Sequence, residues 1–216
     1  MRHHLYGVLE RPPLASRLPE AGVDEQSILV RRIGGLVLLS TLVEESPRPT
    51  PCCRRRHQEV LESVSVPGPL FPLRYGVSVP SREVEAWLAV RAPMIRAGLR
   101  TVRGKVEMHV NVLAPHFGMA DVGRVQDVAD RVTSASGIAS WRGRLADTGG
   151  NAAVALAFLV PRAEVATFLA RIAPVASRAA DIAVVPSGPW PPFTFVPPLD
   201  APLSHVPDAV AVSHAV

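Results

Sequence analysis

The chain has 216 residues, room for one large domain or two small ones, and its 48% hydrophobic against 19% charged composition supports a packed core and excludes a mainly disordered protein. The net charge of +4 rests on 23 basic residues of which only Lys105 is lysine. Neither Arg31-Arg32 nor Arg54-Arg55-Arg56 is interleaved with base-stacking aromatics, so both runs read as solvated faces rather than a nucleic-acid surface.

In chain order, the N-terminus has no signal-peptide h-region, and His3-His4 reads as a surface pair. Residues 5–9 suit an opening strand. Residues 27–32 and 36–42 flank Gly34-Gly35, a pair that supplies the positive φ of a hairpin turn. Pro47, Pro49 and Pro51 mark a stiff linker. Cys52 and Cys53 are neighbours, which disfavours a disulfide between them, and with only His57 nearby they read as reduced thiols. Residues 52–64 turn helical, with Val60, Leu61 and Val64 on one face, and residues 70–77 return to a strand. Arg74 then lies inside an apolar strand, where its charge should be paired with a carboxylate or carbonyl, the Glu107 strand being one candidate, or should project at a functional face.

Ser81 is placed as a helix N-cap, ahead of an apolar stripe through Val84, Trp87, Leu88, Ile95 and Leu99 that Pro93 should kink or interrupt. Val106, Met108, Val110 and Val112 alternate with Glu107, His109 and Asn111, the pattern of a half-buried strand. A helix on Val122, Val125, Val128 and Val132, a turn at Thr148-Gly149-Gly150, a strand over 152–160, a helix on Phe168 and Ile172 and a strand over 182–185 follow. This alternation predicts an α+β protein: an N-terminal α+β domain over 1–102, a ferredoxin-like plait over 103–200, and a flexible end over 201–216. The longest uncharged apolar runs, 33–43 and 152–160, fall short of the roughly 20 residues needed to cross a bilayer, so the chain reads as soluble and cytoplasmic.

Near the end stands Gly188-Pro189-Trp190-Pro191-Pro192-Phe193, whose prolines forbid a helix and predict an extended, polyproline-like segment presenting its rings. Trp190 is expected to be mostly buried there. Glu107 and His109 share one strand face, a spacing that could serve a metal or a substrate. No HExxH, CxxC, phosphate-binding glycine loop or nucleophile elbow accompanies them.

Several blocks together resemble the GvpF/GvpL family of gas vesicle proteins. They are the strand at His4-Leu5-Tyr6-Gly7-Val8, the block Phe71-Pro72-Leu73-Arg74-Tyr75-Gly76-Val77, the strand Arg103-Gly104-Lys105-Val106-Glu107, and the tail Gly188-Pro189-Trp190-Pro191-Pro192-Phe193. The tail is similar to the family's Gly-Pro-Trp-Pro-Pro-Tyr ending, with Phe193 in place of tyrosine. The stretch between Val112 and Gly150 is shorter than the family pattern, and residues 46–56 diverge from it.

The resemblance implies an accessory protein of gas vesicle formation with two α+β domains. It would bind the small hydrophobic shell protein, and other accessory proteins, and assist nucleation or assembly of the vesicle wall. It implies no catalysis and no cofactor, no nucleic-acid or lipid-membrane partner, and residence in the cytoplasm or at the vesicle. The motif residues it singles out are Arg74, Tyr75, Gly76, Gly104, Glu107, Gly188, Pro189, Trp190, Pro191, Pro192 and Phe193. The alternative is a small metal- or ligand-dependent enzyme using Glu107, His109 and Arg74.

Overall fold

The computed structural model describes residues 1–65, 68–114, 122–145, 152–179 and 181–199. The expected turn at Thr148-Gly149-Gly150 and the expected flexible end over 201–216 lie outside them. The described residues form two antiparallel sheets with four helices, an α+β architecture.

The first sheet comprises β1 (Arg2–Leu9), β2 (Ile28–Ile33), β3 (Leu36–Val43), β4 (Leu70–Pro72) and β5 (Ser78–Pro80), in the order β2-β3-β1-β4 with β5 also on β1. Gly34 and Gly35 take φ of +57° and +76°, giving the two positive values that let β2 turn tightly into β3. Helix α1 (Pro51–Val64) covers one face and α2 (Val84–Val102) the other. On the α1 side pack Tyr6, Leu9, Val37, Leu39, Val60, Leu61 and Leu70. On the α2 side pack Leu5, Val8, Leu36, Leu38, Phe71, Leu88, Ile95 and Leu99. Covering both faces is why β1 and β3 read as nearly continuous apolar runs rather than alternating ones.

Three local expectations are corrected. The strand expected over 70–77 stops at Pro72; residues 73–77 loop outward and the chain rejoins β1 as β5. Arg74 therefore sits exposed on a turn instead of inside a strand. Ser81 opens a 3-10 turn and its hydroxyl donates to the Met1 carbonyl at 3.2 Å, so it does not cap α2. Helix α2 continues through Pro93, which lies on the exposed side, where the carbonyl left without its donor can be solvated.

The second sheet comprises β6 (Lys105–Leu113), β7 (Trp141–Leu145), β8 (Ala152–Pro161) and β9 (Ala183–Trp190), ordered β7-β8-β6-β9. With α3 (Val122–Ser136) after β6 and α4 (Val165–Ser177) after β8, the succession βαββαβ is that of a ferredoxin-like plait. Val106, Met108, Val110 and Val112 meet Val125, Val128 and Val132 of α3 and Phe168 and Ile172 of α4. Strand β7 is absent from the sequence expectation because Trp-Arg-Gly-Arg-Leu is short, has glycine at its centre and carries only two large apolar residues. Strand β9 is longer than expected: it runs from Ala183 into the Gly-Pro-Trp motif itself.

The two bodies meet at the α2-side cluster. Leu159 of β8 and the late residues Val196 and Leu199 belong to the α2-side cluster of the first sheet, and Arg162 Nη2 donates to the Ser65 carbonyl at 2.8 Å.

Gly98 lies where α2 crosses Phe71, and a Cβ there would stand 2.6 Å from the ring and 3.5 Å from Val196. A Gly98→Val variant should lose about 1–3 kcal/mol of stability by overpacking, despite the better helix propensity of valine. Denaturant unfolding checks this, and an unchanged midpoint would mean that the helix slides freely on the sheet.

Candidate functional site

The sequence motifs converge on two polar nodes, one in each body, with the proline–aromatic segment running between them. The first node begins with His4, which is fully buried although His3-His4 reads as a surface pair. A strand sandwiched between two helices leaves it no route to water. His57 Nε2 donates to the Leu73 carbonyl at 2.9 Å, so in the neutral ring His57 Nδ1 accepts from His4 Nε2, also at 2.9 Å. His4 Nδ1 has no partner among the described residues.

Around this pair close Tyr6, whose ring centroid is 5.2 Å from each histidine, and Tyr75, at 5.1 Å from His4 and 5.5 Å from His57. The loop that expels Arg74 turns Tyr75 inward, with Gly76 at φ +98° completing the turn, and the Tyr75 hydroxyl donates to the Arg48 carbonyl at 2.8 Å. The Phe-Pro-Leu-Arg-Tyr-Gly block is thus a cover over a buried histidine pair. Burial holds His4 down to about 3, the facing His57 adding to the effect, and burial lowers His57 to about 4. Burial also raises the Tyr75 hydroxyl above its ordinary value.

The second node is Glu107, 1% exposed on β6. Its Oε2 accepts the backbone N–H of Thr194 at 2.8 Å, and its Oε1 accepts the Thr194 hydroxyl at 2.6 Å and the Nε2–H of His109. Arg74 does not reach it: the guanidinium has no hydrogen bond or ion pair among the described residues. Oε2 thus holds the backbone of the strap, while Oε1 holds the Thr194 and His109 side chains, so the carboxylate is engaged on both oxygens by the chain itself. Among the described residues, no group of three or more His, Cys, Asp or Glu side chains is placed to hold a metal ion.

Between the nodes, the motif is not polyproline throughout. Gly104, at φ +70°, turns the chain into β6, and β9 pairs along β6 so that Ser187 faces His109 and Trp190 faces Glu107. Gly188 and Pro189 bulge between these pairs. Gly188 adopts φ +117° with its α-carbon region pressed on the Glu107 carbonyl, where a Cβ would stand at 3.0 Å, so glycine is required there. Trp190 is intermediate in burial, and its Nε1 donates to the Ser187 hydroxyl at 3.3 Å. The anchors lie further on. Pro191 and Pro192 are buried, and Phe193 packs on the α1-side cluster beside Tyr75. Phe195, Val196 and Leu199 pack on the α2-side cluster. Residues 191–199 are a strap that joins the two bodies, pinned in its middle by Glu107.

Sequence reasoning missed Thr194, His4 and His57. For His4 a signal existed: histidines opening an otherwise apolar strand are candidates for buried pairing. Thr194 carried none.

Two measurements follow from these nodes. Thr194→Val keeps the shape but removes one hydrogen bond to a buried carboxylate, and should cost about 1.5–3 kcal/mol in urea unfolding; a loss below about 0.5 kcal/mol would remove Glu107 from its clamping role. For the histidines, both native values lie below the unfolded 6.5, so the unfolded chain takes up protons first and stability falls as pH drops through 6.5 toward 4. Between pH 7 and 5 each histidine that stays neutral should cost about 2 kcal/mol, about 4 for the pair. Stability that is flat over that interval would contradict the buried neutral pair.

Among the described residues, no helix is long and apolar enough to cross a membrane. The fold superposes on the crystal structure of gas vesicle protein GvpF from Anabaena sp. PCC7120 with a TM-score of 0.76 at 16% identity, covering 90% of this chain and 95% of that one. It superposes on GvpF from Microcystis aeruginosa with a TM-score of 0.73 at 14% identity, covering 90% and 98%. No curated protein sequence matches the chain. The family model described as "Gas vesicle synthesis protein GvpL/GvpF" matches residues 2–136 and 120–197. The chain, with its buried Glu107 and its strap, belongs to the GvpL/GvpF family of gas vesicle synthesis proteins.

Proposed function

We propose that the protein is an assembly accessory of the gas vesicle: it binds the small hydrophobic shell protein and assists nucleation or growth of the vesicle wall, acting in the cytoplasm and at the nascent vesicle. The observation that carries this reading is membership in a family of gas vesicle synthesis proteins, matched over most of the chain. The site chemistry agrees with it. A binding protein for an aggregation-prone subunit needs a stiff frame with accessible strand edges rather than a reactive cavity, and Glu107 is spent on internal structure. No observation favours the enzyme alternative.

The test is co-expression of the tagged chain with the shell protein of the same gene set, followed by affinity capture. The shell protein should co-purify in near-stoichiometric amount, and a strain lacking this chain and any homologue should form few or no vesicles. Failure of capture together with normal vesicle yield in the deletion strain would overturn the reading.

A further inference from the structure

The second sheet ends in two unlike edges. Strand β9 carries Pro186 and Pro189 and a bulge, devices that remove donors and disfavour extension of the ladder at that edge. Strand β7 has neither device. Among the described residues it pairs with β8 alone, from Trp141↔Phe158 to Leu145↔Val154, leaving its outer edge without a strand.

The two faces of β7 differ sharply. Toward α3 lie Trp141, 40% exposed, and Gly143, whose missing side chain leaves Leu156 and the Trp141 ring to line a groove of about 180 Å³. Gln126 and Asp130 of α3 form the polar rim, with Gln126 Nε2 donating to Asp130 at 2.8 Å. Arg142 and Arg144 alternate with these residues along the strand and are both exposed, and Arg144 also borders the groove. Arg142 lies over the Phe195 ring at 5.7 Å and donates to its neighbour's carbonyl; Arg144 has no ion pair among the described residues.

We propose that the β7 edge docks an extended segment of a partner protein in which apolar and acidic residues alternate. Added as a fifth strand, such a segment places its apolar side chains against Trp141 and over the Gly143 notch, and its carboxylates beside Arg142 and Arg144. Charge selects this occupant over a second copy of the chain. Antiparallel self-pairing centred on Gly143 would set Arg142 opposite Arg144 twice, a like-charge juxtaposition that opposes association. The proposal deepens the assembly reading by naming a surface and the chemistry of what it holds, and it rests on that reading only for its biological setting.

The probe is a labelled ten-residue peptide alternating valine and glutamate, titrated into the full chain and followed by fluorescence anisotropy. A valine–lysine peptide and an isomer with its glutamates in one block serve as controls. The alternating acidic peptide should bind at least tenfold more tightly than either control. The double variant Arg142→Glu/Arg144→Glu, both exposed positions, should lose that binding at least tenfold and turn its preference toward the lysine peptide, with an unchanged unfolding midpoint. Hydrogen exchange should show protection on residues 141–145 when the acidic peptide is bound. No binding, equal binding of the three peptides, binding untouched by the double variant, or dimerisation of the free chain through β7 would each overturn the proposal. Capture of the shell protein is read separately. If the double variant captures it as well as the wild type does, the β7 assignment falls and the assembly reading stands. If the wild type captures none while the peptide still binds as described, the edge stands and the assembly reading falls.

Discussion

A single carboxylate buried between two bodies sets the geometry of this molecule. Glu107 stands near the start of β6, yet what it binds is the strap, through the backbone and side chain of Thr194. A carboxylate taken out of water must have its lone pairs filled, and the cost of leaving them empty exceeds that of ordering a few residues of chain. Because Thr194 is fixed, Phe193 and Phe195 on either side of it are delivered to opposite faces of the first body's core. One polar contact thereby places two apolar ones, and the prolines before it limit the freedom that has to be lost.

The first body answers the same problem differently. Its central strand is covered by helices on both sides, so the polar groups on β1, His4 Nδ1 apart, are partnered inside. His3 meets the Ser40 hydroxyl at 3.0 Å, and Tyr6 meets Thr41 and the Val23 N–H, each at 2.8 Å. His4 completes a chain of two imidazoles ending on a carbonyl. These contacts fix the register of β1 against β3 and against the loop after β4, which explains how a loop carrying an exposed arginine can still belong to a rigid element. A slip of one residue would strand several buried donors at once.

What the sequence disclosed follows the physics of each segment. The β2–β3 hairpin, β6 and α3 were legible because a glycine pair, a period of two and a period near 3.6 are local signals. Residues 73–77 were not, since the outward loop is dictated by where Tyr75 and the Leu73 carbonyl must meet His57, a contact made across the sheet. Trp190 is partly covered, as its ring size favours, while its place on an edge strand opposite Glu107 leaves the rest of it open. Strand β7 was hidden by composition. The family motifs were visible as words, but their meaning as a cover over histidines and a strap across bodies depended on partners far away in sequence.

The strap also has a consequence for how the chain is made. The groove it fills is formed by Phe71, Gly98 and Leu99, complete once residue 99 has been synthesised, while its own anchors reach to Leu199. At about 5–20 residues per second, the intervening hundred residues take roughly 5–20 s on the ribosome. For that interval the nascent first body carries an open apolar seam, and a chain stalled or cleaved short of Thr194 would keep it open permanently, a surface that chaperones and proteases are built to find.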